Sequence, residues 1–151
     1  MTSPIYIING PNLNRLGTRE PEIYGRTTLA EIEDLCRKTA GAHPIEFRQS
    51  NAEHEIIGWI HEAVDRGAGL IINPAAYSFT SIAILDALKM FPGPIIELHI
   101  SNIHRREAIY QNSLMSRAAT AVIAGLGTEG YATAVASLLR MFGREAAATT
   151  P

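Results

Sequence analysis

The sequence predicts a three-layer α/β fold in which helices cover both faces of one parallel β-sheet. Five short apolar segments alternate with patterns of helical periodicity along the chain. Two of these segments, residues 5–8 and 70–72, are continuously apolar, as strands buried on both faces are. Since strands separated by helices pair in parallel through right-handed crossovers, the alternation predicts a sheet with the flavodoxin-like order 2-1-3-4-5.

The composition is that of one globular domain and argues against several classes of function. The chain has 151 residues, 46% of them hydrophobic, and a net charge of -2. We expect a single domain over residues 1–145 and a disordered tail over residues 146–151. The sequence contains no basic run, glycine-rich phosphate motif or long apolar segment, so we expect no nucleic acid or membrane partner. Without a secretory pattern at the N-terminus, the expected location is cytoplasmic.

Local signals predict where most elements begin and end. The predicted strands cover residues 4–8, 44–49, 70–73, 95–100 and 120–124, and the last helix covers residues 130–142. The earlier helices are expected to begin at Thr27 or Thr28, at Ser50 or Asn51, and at Ser78, Thr80 or Ser81. Glu31 can form a capping box with Thr28. The single cysteine, Cys36, falls on a helical apolar stripe and is expected to be buried.

The longest connection, residues 9–25, joins the first strand to the first helix. Connections of this kind usually take about two to six residues, so its length favours a binding loop or a lid. Its glycines and prolines shape the backbone, and its arginines and asparagines supply polar groups. A passive surface loop of the same composition is the alternative.

Polar residues also collect where three predicted strands end. In the predicted order, the segments after strands 1, 3 and 4 border one crevice: residues 9–24, 73–77 and 99–102. Glu97, His99 and Ser101 alternate along the fourth strand and therefore share one face. A buried carboxylate needs a partner, and pairing with Glu97 would orient the imidazole of His99 for acid–base chemistry. A purely structural pair is the alternative.

Tyr24, at the far end of the long loop, is a candidate general base. A phenol has a pKa near 10 and is almost fully protonated at neutral pH, so a tyrosine base needs cations that lower its pKa. Arg15 and Arg19 are the cations earlier in the same loop. Either Arg19 folds over the crevice and stabilises the tyrosinate, or it pairs with Glu20 or Glu22 on the surface.

Five segments of the chain together resemble one family of enzymes. They are NGPNLNRLGTREPEIYG, FRQSNAE, INPAAYSFTS followed by LDAL, IELHISNIHRRE and AGLGTEGY. In order and spacing they are similar to the type II 3-dehydroquinate dehydratases. The resemblance implies removal of water from 3-dehydroquinate to give 3-dehydroshikimate, without a metal or other cofactor. It also implies a homo-oligomer in which trimers assemble into a dodecamer.

The resemblance assigns a catalytic role to five residues. Tyr24 would take the proton beside the ketone, and Arg19 would lower the pKa of Tyr24 from a mobile lid. Asn12 would help to stabilise the enolate. His99, oriented by Glu97, would protonate the departing hydroxyl group.

The chain departs from the family pattern among the residues that bind substrate. The resemblance assigns substrate contacts to Asn73, Ile100 and Ser101, and to Asp86 at the site of a neighbouring subunit. Phe79 replaces a histidine and Tyr110 replaces an arginine that contact the substrate ring, and Leu85 replaces a usual basic residue. Phe79 cannot donate a hydrogen bond, which implies weaker binding or a less hydroxylated substrate. The alternatives are therefore a related enolate-forming lyase acting on another cyclic hydroxy-ketone acid, and a non-catalytic small-molecule-binding protein.

Overall fold

One parallel sheet contains all five strands. The strands are β1 Ile5–Asn9, β2 Ile45–Gln49, β3 Gly69–Asn73, β4 Ile95–His99 and β5 Ala121–Ala124. The computed structural model describes residues 2–18 and 20–149, without the side chains of residues 23 and 24. The strand order is β2-β1-β3-β4-β5 and all four pairings are parallel, which confirms the predicted topology.

The longer helices divide between the two faces of the sheet. The helices are α1 Pro21–Tyr24, α2 Leu29–Ala40, α3 Glu53–Arg66, α4 Ile82–Leu88 and α5 Glu129–Thr149. Side chains of β1 alternate between two cores: Ile5 and Ile7 pack with α2 and α5, while Tyr6 and Ile8 pack with α3 and α4. β1 lies between β2 and β3 and is buried on both faces, so every residue of β1 before Asn9 is apolar or aromatic.

Two of the predicted helix starts are confirmed and one is wrong. Thr28 and Glu31 form the predicted capping box at α2, and Ser81 caps α4 by accepting from the backbone N–H of Ile84 at 2.9 Å. The residue before α3 is Ala52, which has no capping side chain. Ser50 lies two residues earlier, accepts from the N–H of Ala52 at 2.9 Å and so supports the turn that leads into the helix.

The boundaries differ most towards the C-terminal end of the chain. The predicted last helix ends near Gly143, whereas α5 continues to Thr149. Residues 146–149, expected in a disordered tail, are therefore helical, consistent with the high helix propensity of the alanines there. The polar segment over residues 101–117 forms three 3₁₀ turns, at Ile103–Arg105, Ala108–Tyr110 and Leu114–Arg117.

Cys36 is buried in the core beneath α2. Burial raises the pKa of its thiol to about 12, so the thiol stays protonated and packs as a small apolar group. Within the described part of the chain, no helix is long and apolar enough to cross a membrane.

Candidate active site

The carboxyl ends of β1 and β3 approach each other closely. Asn9 and Asn73 are register partners, and the N–H of Gly10 donates to the carbonyl of Asn73 at 2.8 Å. A Cβ atom at Gly10 would lie 2.4 Å from the carbonyl oxygen of Pro74. Glycine is therefore required at Gly10, because any side chain would force apart the two strand ends that form the floor of the site.

A pocket opens at this edge of the sheet and encloses about 620 Å³ of space, including its mouth. A concave site with apolar walls and a few convergent polar groups is the usual form of a small-molecule pocket. The residues that line it come from the ends of β1, β3 and β4 and from the turns beyond them: Pro11, Asn12, Leu13, Asn73, Ala75, Ala76, Phe79, His99, Ile100, Ser101, Ile103, Arg106 and Tyr110. The predicted convergence of three distant segments on one crevice is therefore confirmed.

Glu97 and His99 form a buried pair at the end of β4. Nε2 of His99 lies 2.5 Å from Oε2 of Glu97, and both side chains are almost completely buried. The hydroxyl of Ser116 donates to the other carboxylate oxygen of Glu97 at 2.6 Å. Because Nε2 is held by the carboxylate, Nδ1 is the ring nitrogen of His99 that can exchange a proton with a ligand in the pocket.

The electrostatics of Glu97 favour its charged form. Burial alone would raise the pKa of this carboxyl, but the hydrogen bonds from His99 and Ser116 outweigh burial and hold the pKa below its ordinary value. Glu97 is therefore a carboxylate at neutral pH and stabilises positive charge on the imidazole of His99. A histidine held in this way can donate a proton from Nδ1 and then take up another proton from solvent.

Asn12, at the base of the long loop, has a left-handed backbone conformation with φ of 72°. Its N–H donates to Oδ1 of Asn51 at 3.0 Å. The side-chain amide of Gln49 donates to the carbonyl of Gly10 at 3.1 Å and to the same Oδ1 of Asn51 at 3.2 Å. Gln49 and Asn51 thus fix the base of the loop, which places Asn12 in the wall of the pocket.

The tyrosinate prediction depends on Tyr24 and Arg19, and the structure describes only the backbone of Tyr24. Tyr24 is the last residue of α1, a single helical turn, and the structure does not describe its side chain. Arg19 lies outside the described residues. Their roles therefore stay predictions.

The predicted substrate-binding residues fall into two groups. Asn73, Ile100 and Ser101 line the pocket as expected. Asp86 lies on the exposed side of α4 and is not among the residues that line the pocket of its own chain. Leu85 is buried in the core beneath α4.

Phe79, Tyr110 and Arg106 form one side of the pocket, which we call the aromatic wall. The ring of Phe79 stacks beside that of His99, with centroids 6.2 Å apart, and meets Tyr110 edge-on at 5.5 Å. The guanidinium of Arg106 lies over the ring of Tyr110, 4.1 Å from its centroid. Cation–π contacts of this kind hold an arginine side chain against a pocket wall.

Sequence reasoning missed Arg106 and Ser116. Arg106 is the second arginine of a pair in a polar segment, where nothing in the spacing distinguishes the pocket residue from the exposed Arg105. Ser116 is separated from Glu97 by 19 positions, and no local pattern connects them. The sequence points to a residue such as Ser116 only indirectly, because a buried carboxylate requires more than one hydrogen-bond partner.

The fold and the site together define an α/β enzyme with a buried Glu–His pair at the carboxyl edge of its sheet. Residues 3–139 match the family model described as dehydroquinase class II, and the chain belongs to this family.

Named relatives are similar over almost their whole length. The chain is 56% identical to 3-dehydroquinate dehydratase 2 of Agrobacterium fabrum over 140 residues, which are 91% of this chain and 95% of the relative. It is 58% identical to the 3-dehydroquinate dehydratase of Streptomyces avermitilis, covering 88% and 86% of the two chains. The crystal structure of type II dehydroquinase from Propionibacterium acnes superposes with a TM-score of 0.87 at 45% identity, covering 91% of this chain and 97% of that one.

Proposed function

We propose that this chain eliminates water from 3-dehydroquinate to give 3-dehydroshikimate, with Tyr24 as the base and His99 as the acid. Hydro-lyase activity of this kind accompanies membership of the class II dehydroquinase family. The observation that carries the proposal is the buried Glu97–His99 pair, with 2.5 Å between Oε2 and Nε2, of which His99 lines the pocket.

The chemistry requires a base and an acid at different points of the substrate ring. The base removes a proton beside the ketone, and the resulting enolate oxygen must be stabilised before the proton can leave. We assign removal of the proton to Tyr24 with help from Arg19, and stabilisation of the enolate to Asn12. As the enolate collapses, the carbon–oxygen bond breaks and His99 gives its proton to the departing hydroxyl, so that water leaves.

The aromatic wall favours a second candidate, a lyase of the same mechanism acting on a less hydroxylated cyclic hydroxy-ketone acid. Phe79 offers no hydrogen bond to a ring hydroxyl, and its ring occupies the wall beside His99. Binding of 3-dehydroquinate would then rely on Asn73, Ser101 and Arg106, which line the same pocket. Tyr110 can contribute through its hydroxyl.

We also predict an oligomer and a cytoplasmic location. Asp86 is exposed on α4, away from the pocket of its own chain, as expected of a residue that reaches a neighbouring subunit. Ile82, the first residue of α4, and Met90, two residues after its end, are 63% and 54% exposed. Apolar groups at such exposure are suited to burial between subunits. The measured mass in solution tests this prediction, and a monomer would contradict it.

The function is tested by incubating the purified protein with 3-dehydroquinate and following the conjugated enone in the ultraviolet. We expect turnover that is lost in Tyr24→Phe and kept in Tyr6→Phe, which removes another tyrosine hydroxyl far from the pocket. If neither the wild type nor the Phe79→His, Tyr110→Arg double variant turns over 3-dehydroquinate, the proposal is contradicted. Turnover in the double variant alone would favour the second candidate.

A further inference from the structure

A buried chain of hydrogen bonds ties the ends of two strands to α5. Tyr131, near the start of α5, is fully buried, and its hydroxyl donates to Oδ1 of Asn9 at 2.6 Å. Nδ2 of Asn73 donates to the same hydroxyl oxygen at 3.0 Å. At the two ends of the chain, Nδ2 of Asn9 donates to the carbonyl of Arg48 at 3.0 Å, and Oδ1 of Asn73 accepts from the N–H of Ala75 at 3.3 Å.

The direction of every bond in this chain follows from one backbone carbonyl. The carbonyl of Arg48 can only accept, so Asn9 must turn its amide nitrogen towards it and its oxygen towards Tyr131. The single hydrogen of the Tyr131 hydroxyl is then committed to Asn9, which leaves its oxygen only as an acceptor for Asn73. Asn73 must therefore present its nitrogen to Tyr131 and its oxygen to the N–H of Ala75.

The Tyr131 hydroxyl keeps its hydrogen under all ordinary conditions. Burial raises the pKa of this phenol far above its usual value. The chain therefore cannot reverse through loss of the proton, and the orientation of the Asn73 amide is the same at any pH at which the protein is assayed.

Of the residues in this series of hydrogen bonds, Asn73 lines the pocket and Tyr131 does not. An asparagine amide offers two N–H donors and two acceptor lone pairs. With one donor committed to Tyr131 and one lone pair to Ala75, the second N–H and the second lone pair remain for a ligand. Rotation of the amide by half a turn would exchange these groups and present the wrong partner to a ring hydroxyl.

We propose that Tyr131 is a positioning residue that fixes the direction of the Asn73 amide and thereby sets the affinity of the pocket for a hydroxylated ring. The expected effects on kcat and KM rest on the proposed dehydratase function. Tyr131, a residue of the helical layer, thereby has a role in substrate binding through another side chain.

The test is a double-mutant cycle with Tyr131→Phe and Asn73→Ala, measured as kcat and KM for 3-dehydroquinate. We expect Tyr131→Phe to lower kcat/KM about tenfold, mainly through KM, because an oriented hydrogen bond is lost. Because Tyr131 acts through Asn73, we expect the double variant to be no less active than Asn73→Ala alone. An additive loss in the double variant, or unchanged kinetics in Tyr131→Phe, would overturn the proposal.

Tyr6→Phe is the matched control. Tyr6 is also fully buried and loses a hydrogen bond of 2.6 Å, to Glu62, away from the pocket. We expect Tyr6→Phe to lower the melting temperature about as much as Tyr131→Phe does and to leave KM unchanged. If Tyr6→Phe raises KM equally, general loosening of the core explains the effect and the proposal fails.

Asn9→Ala gives an independent test if Tyr131→Phe does not fold. Without Oδ1 of Asn9, the Tyr131 hydroxyl is released to donate to Asn73, which permits the rotated amide. We expect KM to rise although Tyr131 and Asn73 are both present, and an unchanged KM would overturn the proposal.

A structural measurement separates this inference from the proposed function. If the wild type does not act on 3-dehydroquinate, the proposed function fails and the kinetic cycle is not used. A crystal structure of Tyr131→Phe then decides: we expect the Asn73 side chain to leave its 3.3 Å contact with the N–H of Ala75. Retention of that contact would overturn the inference.

Discussion

The two sides of the pocket are built in different ways. On the floor, Asn73 and His99 lie at the ends of β3 and β4, and Glu97 supports His99 from within β4. All three are at most 4% exposed and are held by hydrogen bonds between side chains. The aromatic wall comes from segments after β3 and β4, and its residues Phe79, Arg106 and Tyr110 are partly exposed. Its contacts include two ring–ring pairs and one cation–π pair.

This difference bears on which part of the site can change. A buried, hydrogen-bonded group cannot be replaced without leaving its partners unpaired, at a cost of about 1–3 kcal/mol each. Rings in a partly exposed wall contribute less and tolerate exchange more readily. We therefore expect His99 on the floor, with Glu97 behind it, to control the chemical step and kcat. The wall, like Asn73, should control substrate affinity and KM.

The largest effect is expected from His99→Ala on the floor. Loss of a general acid lowers kcat by about 10²–10⁴-fold, while KM should change little because the proton moves only in the transition state. Steady-state kinetics with 3-dehydroquinate measure both quantities. A His99→Ala enzyme with nearly normal kcat would show that another group protonates the leaving hydroxyl.

The next effect is expected from Glu97→Gln. The glutamine cannot carry the charge that stabilises the imidazolium, so kcat should fall, but by less than in His99→Ala. The free energy of unfolding at neutral pH should also decrease by about 1–3 kcal/mol, since a hydrogen-bonded carboxylate is lost. Urea unfolding and steady-state kinetics check the two parts.

The same variant gives a prediction for pH. The folded-state pKa of Glu97 is lowered from its ordinary value of 4.5, so its contribution to stability is fully present above that value and is lost as the pH falls through the lower folded-state pKa. Melting curves of the wild type should therefore show a loss below pH 4.5 that is smaller in Glu97→Gln. Identical pH dependence in both proteins would contradict the assignment of a charged Glu97.

A smaller effect, in KM, is expected from the wall. Phe79→His with Tyr110→Arg adds hydrogen-bond donors towards ring hydroxyls, so KM for 3-dehydroquinate should fall about tenfold, with kcat nearly unchanged. The single variants apportion the gain between the two positions. An unchanged KM would show that the wall does not face the ring hydroxyls.

The smallest effect is expected from Ser116→Ala, which removes the hydrogen bond to Oε1 of Glu97. A bond of this kind contributes about 0.5–1.5 kcal/mol, so kcat should fall a few-fold. Thr133→Ala is the control, because Thr133 donates to a backbone carbonyl at the exposed surface of α5. Equal changes in the two variants would remove any special role for Ser116.

The sequence predicts the floor better than the wall for a physical reason. The positions of Glu97 and His99 follow from strand alternation, and the approach of Asn73 to the same crevice follows from parallel topology. Arg106 directly follows one 3₁₀ turn and Tyr110 ends the next, and such turns have no periodicity of their own and depend on tertiary contacts. The departures at Phe79 and Tyr110 could be named only through the family resemblance.

Tyr131 shows what helical periodicity leaves out. Its position on the apolar stripe of α5 predicts a core residue, which it is. The pattern does not record its hydroxyl, although a buried tyrosine oxygen needs a partner. That partner lies 122 positions away in sequence, at Asn9, so only the folded structure connects them.

The most direct test of the division between floor and wall combines the two sets of changes in one protein. His99→Ala, Phe79→His and Tyr110→Arg together should show the low kcat of His99→Ala and the lowered KM of the wall variant. Because Phe79 lies beside His99, a histidine at position 79 is well placed to compete for the role of acid. Recovery of kcat in the combined variant would contradict the account, since proton transfer would then not depend on the strand-held histidine.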